Sequence, residues 1–140
     1  MLAALPLLAL PVLLYNVLAL TLAAGFAGAG ATDRLSARLF TIPMASHAAW
    51  AVSLGDLLLG GSLVVLFVEL LKSTTSRQVA IVNHSLTMVL FIGCLVEFLL
   101  FPAFATSTFF LLALMVLLDV LAGFIVTIVA SRREIDLRRD

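Results

Sequence analysis

The sequence predicts an all-α integral membrane protein: four antiparallel transmembrane helices packed as one bundle and joined by short loops. Three observations carry this expectation. Hydrophobic residues make up 64% and charged residues 11% of the chain, against about 45–50% and 25% in soluble domains, and mean hydropathy is +1.26. Apolar runs recur at 2–28, 48–71, 79–101 and 107–131, each near the roughly 20 residues that carry a helix across a bilayer. The runs and their connections use almost all of the 140 residues. One transmembrane domain with a charged cytoplasmic tail at 132–140 is therefore expected, with no soluble domain in which substrate chemistry would sit.

The first run ends in small residues, as a signal peptide does, but no Lys or Arg precedes Asp33. It is also longer than an h-region of about 7–15 residues, so it is expected to stay as a membrane helix. Pro6 and Pro11 each remove a backbone donor in its first half and bend it. The loop at 31–46 carries Asp33, Arg34 and Arg38; the pattern over 35–40 suits a short interfacial helix, and Pro43 stops its continuation. Trp50 then serves as an interfacial anchor where the second helix enters the membrane. The second run closes on Lys72 and a polar loop to Arg77, the third stops at Pro102, and the fourth ends before Arg132 and Arg133.

The basic residues set the orientation. With both termini cytoplasmic, six of them (Lys72, Arg77, Arg132, Arg133, Arg138 and Arg139) lie inside and two (Arg34 and Arg38) outside, a positive-inside bias. Seven Arg to one Lys, with Ala and Leu dominant, points to a GC-rich bacterial genome and hence the bacterial inner membrane. The formal net charge is zero, so there is no basic field of the kind that recruits nucleic acid. A lone cysteine, Cys94, excludes an internal disulfide and a multi-cysteine metal site.

An ionisable group inside an apolar span is by default a candidate for function. At 100° per residue, Asn83, Thr87, Cys94 and Glu97 share one face of the third helix, Thr108, Met115, Asp119, Gly123 and Thr127 one face of the fourth, and Ser53, Asp56 and Gly60 one face of the second. Counting helical rise, Asp56 and Asp119 fall near mid-membrane and Glu97 about 10 Å toward the outer face. With no basic residue at that depth, some of these acids must hold a proton, or a cation or partner helix must compensate. Asp56, Glu97, Asp119 and Asn16, the last on the first helix, form the candidate buried polar or ion site. Glu69 and Lys72, one turn apart, are expected to snorkel as an ion pair at the cytoplasmic boundary, with Asn83 and His84 a polar cap at the same boundary. Gly55, Gly60, Gly61 and Gly123 are candidate close-packing positions.

Two histidines raise haem, but His47 and His84 lie about 25 Å apart along the membrane normal at helical rise, so one iron cannot take both; no cofactor is expected. No serine–histidine–acid set, phosphate-binding glycine loop or metal signature occurs. The chain resembles the small multidrug resistance transporters in size and class only: their essential acid is a glutamate in the first helix, and this first helix has no acid. Two functions lead, with a membrane haem or quinone protein using His47 or His84 a distant third. The first is a non-enzymatic small membrane subunit or assembly partner in a larger complex or homo-oligomer, its contacts being lipid and other membrane subunits or itself. The alternative is a proton- or cation-coupled transporter or channel subunit using the buried carboxylates.

Overall fold

A computed structural model describes residues 5–22, 31–73 and 77–137. The chain is mostly helical. Its elements are α1 (Ala9–Leu22), α2 (Ala31–Ser36), β1 (Arg38–Pro43), β2 (Ala49–Ser53), α3 (Leu54–Ser73), α4 (Arg77–Leu100), a 3-10 turn (Pro102–Phe104) and α5 (Ser107–Leu137). Three helical segments are long and apolar enough to cross a membrane: Leu54–Lys72, Val82–Leu100 and Ser107–Ile125. Helix α1 is apolar but has only 14 residues, about 21 Å at helical rise, short of the about 30 Å of a hydrocarbon core. The remainder of the expected first span, 23–28 at one end and 2–4 at the other, lies outside the described residues.

The second expected span is the one the structure redraws. Its first residues are not helical: Ala49–Ser53 is a strand, antiparallel to Arg38–Pro43, with Ile42 opposite Trp50, Thr41 opposite Ala51 and Phe40 opposite Val52. Helix α3 therefore starts at Leu54, and the interfacial helix expected over 35–40 is replaced by the end of α2 followed by β1. The local chemistry explains the change. Phe40, Thr41, Ile42, Trp50 and Val52 are strand-favouring residues, and their alternation was hidden by continuous hydropathy. Pro43 closes β1 at an edge, where a missing donor does no harm. His47 turns the chain with φ 62°, the left-handed conformation a tight turn requires, while Met44 N–H donates to the Ala48 carbonyl and His47 N–H to that of Met44. The hairpin is exposed throughout except at Val52 and Ser53.

Side-chain contacts fix the packing of the helices. Glu69 of α3 meets Asn83 of α4, and Thr87 of α4 meets Asp119 of α5, whereas the first turn of α3 lies beside that of α5. There a Cβ on Gly55 would sit 2.8 Å from Thr108 Oγ1 and 3.3 Å from the Leu35 carbonyl, so only glycine allows this approach. Helices α3 and α5 thus run parallel and α4 antiparallel to both, with α5 the most buried of the three. Helix α1 runs with α4. Its Tyr15 reaches the far end of the bundle, where the hydroxyl donates to the Ala103 carbonyl at 3.1 Å and accepts from the Thr106 hydroxyl at 2.6 Å. Around that hydroxyl the rings of Tyr15, Phe104 and Phe109 pack with centroids 4.7–5.6 Å apart. The connection after α4 is consequently folded inward: Ala103 and Phe104 are fully buried, and Thr106 caps α5 by accepting from Phe109 N–H. The mid-bundle core is Leu58, Cys94, Leu112, Ala113 and Val116. Leucine, valine, isoleucine and phenylalanine side chains cover the outer faces of α3, α4 and α5.

Candidate buried polar site

Opposite the hairpin, at the Lys72 end of the bundle, five polar side chains from three helices converge. Asn83, His84 and Thr87 occupy successive turns near the start of α4, Glu69 stands one turn before the end of α3, and Asp119 faces them from α5. Glu69 and Asp119 are 0% exposed, Thr87 0%, Asn83 2% and His84 9%. Glu69 accepts from Asn83 Nδ2 at 2.5 Å and from the Leu7 N–H at 2.5 Å. Lys72 Nζ lies 3.5 Å from Glu69 Oε1 and donates to the Leu5 carbonyl at 2.7 Å. The chain just ahead of α1 is thereby fastened to the end of α3 by one acid and one amine. Thr87 Oγ1 lies 3.0 Å from both Asp119 Oδ2 and the Asn83 carbonyl, and His84 Nδ1 faces Asp119 Oδ1 at 4.0 Å.

The cluster is incompletely satisfied. Among the described residues, Asn83 Oδ1, both ring nitrogens of His84 and Asp119 Oδ1 are buried without a hydrogen-bond partner. A buried polar atom left unpaired costs about 1–3 kcal/mol, and native structures carry few of them. Four in one layer is a concentration that packing alone does not account for. The Thr87 hydroxyl adds a second property. It has one hydrogen and two acceptors in reach, so it either donates to an ionised Asp119 or donates to the Asn83 carbonyl and accepts a proton carried by Asp119. Both arrangements fit the same heavy-atom positions.

The sequence-derived site is only partly reproduced. Asp119 is buried on the expected face of α5, and Asn83, Thr87 and Cys94 are buried along the expected stripe of α4. Asp56 is not deep. With α3 starting at Leu54, Asp56 lies in its first turn, exposed, accepting from Ser53 N–H at 2.9 Å and from Ser53 Oγ at 2.7 Å, while Ser53 Oγ accepts from Asp56 N–H at 3.2 Å. This is a reciprocal capping box, and the face of α3 that points inward is instead Gly55, Leu58, Ser62 and Glu69. Glu97 is half-buried and takes a hydrogen bond from Asn16 Nδ2 at 3.3 Å, and Asn16 also donates to the Val12 carbonyl. The three acids Asp56, Glu97 and Asp119 therefore do not converge: each has its own partner at its own level.

Glu69 and Lys72 do form the expected ion pair, but Glu69 is enclosed rather than snorkelling. His84 is likewise not a surface cap. Its ring lies against Gly123, where a Cβ would meet the imidazole at 2.0–2.3 Å. Gly55 and Gly123 are the close-packing glycines; Gly60 and Gly61 are exposed, with no described atom within 4 Å of a Cβ built on either. His47 sits in the exposed hairpin turn, at the opposite end of the bundle from His84. Among the described residues, no three His, Cys, Asp or Glu side chains group closely enough to hold a metal ion. Gly123, on the same face as Asp119 and a close-packing position in the sequence, opens room for a ring from the neighbouring helix; that the ring is His84 is visible only in the fold. No family model matches the chain, and comparison with curated proteins and with solved structures returns no match either.

Proposed function

We propose that this protein is a non-enzymatic integral membrane protein, a small subunit or assembly partner of a larger membrane complex or of a homo-oligomer. In this reading four antiparallel helices cross the bacterial inner membrane with both termini cytoplasmic. The Lys72 end faces the cytoplasm and the hairpin the opposite side. The observation that carries the partner role is the hairpin. Leu39, Phe40, Ile42, Met44 and Trp50 are all exposed on it, and a two-stranded sheet has two open edges whose backbone groups are available to pair with another chain. The apolar outer faces of α3, α4 and α5 suit lipid, whereas the hairpin offers both side chains and backbone to a protein.

The test is the size and composition of the particle extracted in mild detergent. A companion protein or a second copy is expected at fixed stoichiometry, and it is lost in the Phe40→Ser/Trp50→Ser variant while helicity by circular dichroism is unchanged. A monomeric particle with no companion from the wild type overturns the reading.

The alternative, a proton- or cation-coupled transporter or channel subunit, is favoured by a different observation, the buried acids and imidazole of the Lys72 end. Its residues would be Asp119 and Glu69 in place of Asp56. Flux into liposomes driven by a pH gradient, abolished by Asp119→Asn, would support it; no flux in the wild type removes it.

A further inference from the structure

We propose that the layer formed by Glu69, Asn83, His84, Thr87 and Asp119 is a proton-exchange site, with His84 and Asp119 as the exchanging pair and a single proton as its ligand. The inference sharpens where the second reading would place its chemistry, but it requires no transport: a subunit that takes up a proton from one side would use the same site.

The charge balance comes first. Among the described side chains, the titratable and charged groups facing the layer are Glu69 and Lys72 from α3, His84 from α4 and Asp119 from α5; the described segment ahead of α1 adds the Leu5 carbonyl and the Leu7 N–H. With both carboxylates ionised, Lys72 charged and His84 neutral, these described groups carry one net negative charge in a place from which water is largely excluded. An uncompensated buried charge costs several kcal/mol. One added proton makes the layer neutral.

The acceptors for that proton are the atoms the structure leaves open. Asp119 Oδ1 and His84 Nδ1 face each other at 4.0 Å, and both are buried and unpaired among the described residues. Placed on Asp119 Oδ1, the proton makes a carboxylic acid whose hydroxyl faces His84 Nδ1, and the Thr87 hydroxyl, beside Oδ2, is released to turn to the Asn83 carbonyl, for which it is already in position at 3.0 Å. Placed on His84, it makes an imidazolium facing an ionised Asp119, and the Thr87 hydroxyl turns back to the carboxylate. Each form satisfies a different set of bonds, and passing between them needs one hydroxyl rotation and a small approach of ring to carboxylate. The way in is from the Lys72 end. The Lys72 side chain keeps 21% of its surface exposed and that of His84 10%, the latter on carbon since both ring nitrogens are buried, whereas Asp119 has none. A purely structural cluster would pair its buried atoms; this one keeps open those that a proton would use.

The experiment is a pH titration of the full chain in nanodiscs, read by two probes at once. One is the infrared carbonyl stretch of a protonated carboxyl, the other the NMR shifts of ring-labelled histidine in a His47→Gln background, which leaves His84 as the reporter. Expected is one shared step, seen by both probes, because the proton belongs to the pair. In Asp119→Asn the carbonyl change disappears and the proton affinity of His84 falls about tenfold, one pH unit. Should that variant not fold, the wild-type titration decides alone: a common step supports the site, and constant signals from both probes in folded protein overturn it. Unlinked steps, or a His84 step unmoved by Asp119→Asn, also overturn it. None of these readouts involves a partner or a flux, so the result stands apart from the functional readings.

Discussion

The His84 ring rests on the α-carbon of Gly123, so closely that a Cβ there would fall 2.0 Å from the imidazole Cγ. Two residues on different helices thus define one another: the ring needs the glycine, and the glycine is filled by the ring. Gly123→Ala is expected to push the ring away from Asp119 and to destabilise the bundle by about 1–3 kcal/mol, the usual cost of overpacking. His84→Ala in the same chain should return most of that loss. A double-mutant cycle of unfolding free energies in detergent, with a coupling of about 1 kcal/mol or more, is the check.

At the hairpin end, the Tyr15 hydroxyl donates to the Ala103 carbonyl and accepts from the Thr106 hydroxyl while its ring packs on Phe104 and Phe109. Tyr15→Phe keeps the ring and removes the bonds, and should cost about 1 kcal/mol with a further contribution from the unpaired Thr106 hydroxyl. Tyr15→Ala also opens a cavity and should cost about 3–5 kcal/mol. Equal losses in the two variants, measured by denaturant titration, would show that the hydroxyl and not the ring holds α1 to the bundle.

Ser53 caps α3 in a box with Asp56. Ser53→Ala is expected to cost about 1 kcal/mol and to raise amide hydrogen exchange at the start of α3, with no change at Asp119. Asp56→Asn should weaken the same cap and leave the infrared carboxyl titration as it is in the wild type. A titration lost in Asp56→Asn would return Asp56 to the buried site.

Glu69 and Lys72 make an unequal pair. Glu69→Ala strands the Asn83 amide, the Leu7 N–H and the Lys72 ammonium together, and about 3–5 kcal/mol of destabilisation is expected. Lys72 is partly exposed, and Lys72→Met leaves Glu69 held by Asn83 and the Leu7 N–H, so it should cost less than Glu69→Ala while still leaving a buried carboxylate without its cation. Because both residues hold the backbone ahead of α1, limited proteolysis should cut near the N-terminus faster in Glu69→Ala than in Lys72→Met. The opposite order would mean that the amine, not the acid, is the main fastening.

What could be read from the sequence follows the physics of each signal. The inward stripe of α4, Asn83–Thr87–Cys94–Glu97, was visible because polar residues at helical spacing stand out in an apolar helix. The start of α3 was not, because Ala49 to Ser53 is as apolar as the helix after it, and hydropathy does not distinguish a strand from a helix. The discriminating sign was Ser53 with Asp56 three residues on, a capping box ahead of an apolar run. Beginning the helix at 48 instead turned a cap into a buried acid and assigned α3 the wrong inner face. Glu69 was misjudged for another reason. A lysine at i+3 is a sufficient partner in sequence, whereas Asn83 and the Leu7 amide, which enclose it, are brought to it only by the fold.

The carbon-lined middle of the bundle bears on what one copy of this chain can carry. From Thr87 to Glu97, α4 rises about 15 Å, and the facing interior is Leu58, Leu112, Ala113 and Val116 with the Cys94 thiol. Ser62, the buried hydroxyl at that level, is turned back on the Leu58 carbonyl at 2.6 Å. Among the described residues, a charge admitted beside Lys72 would meet no free polar side chain before Asn16 and Glu97. Were the layer to take up a proton, a single copy would hold it on one side of this apolar stretch rather than hand it across. Any continuous wire would have to be completed by a second protein.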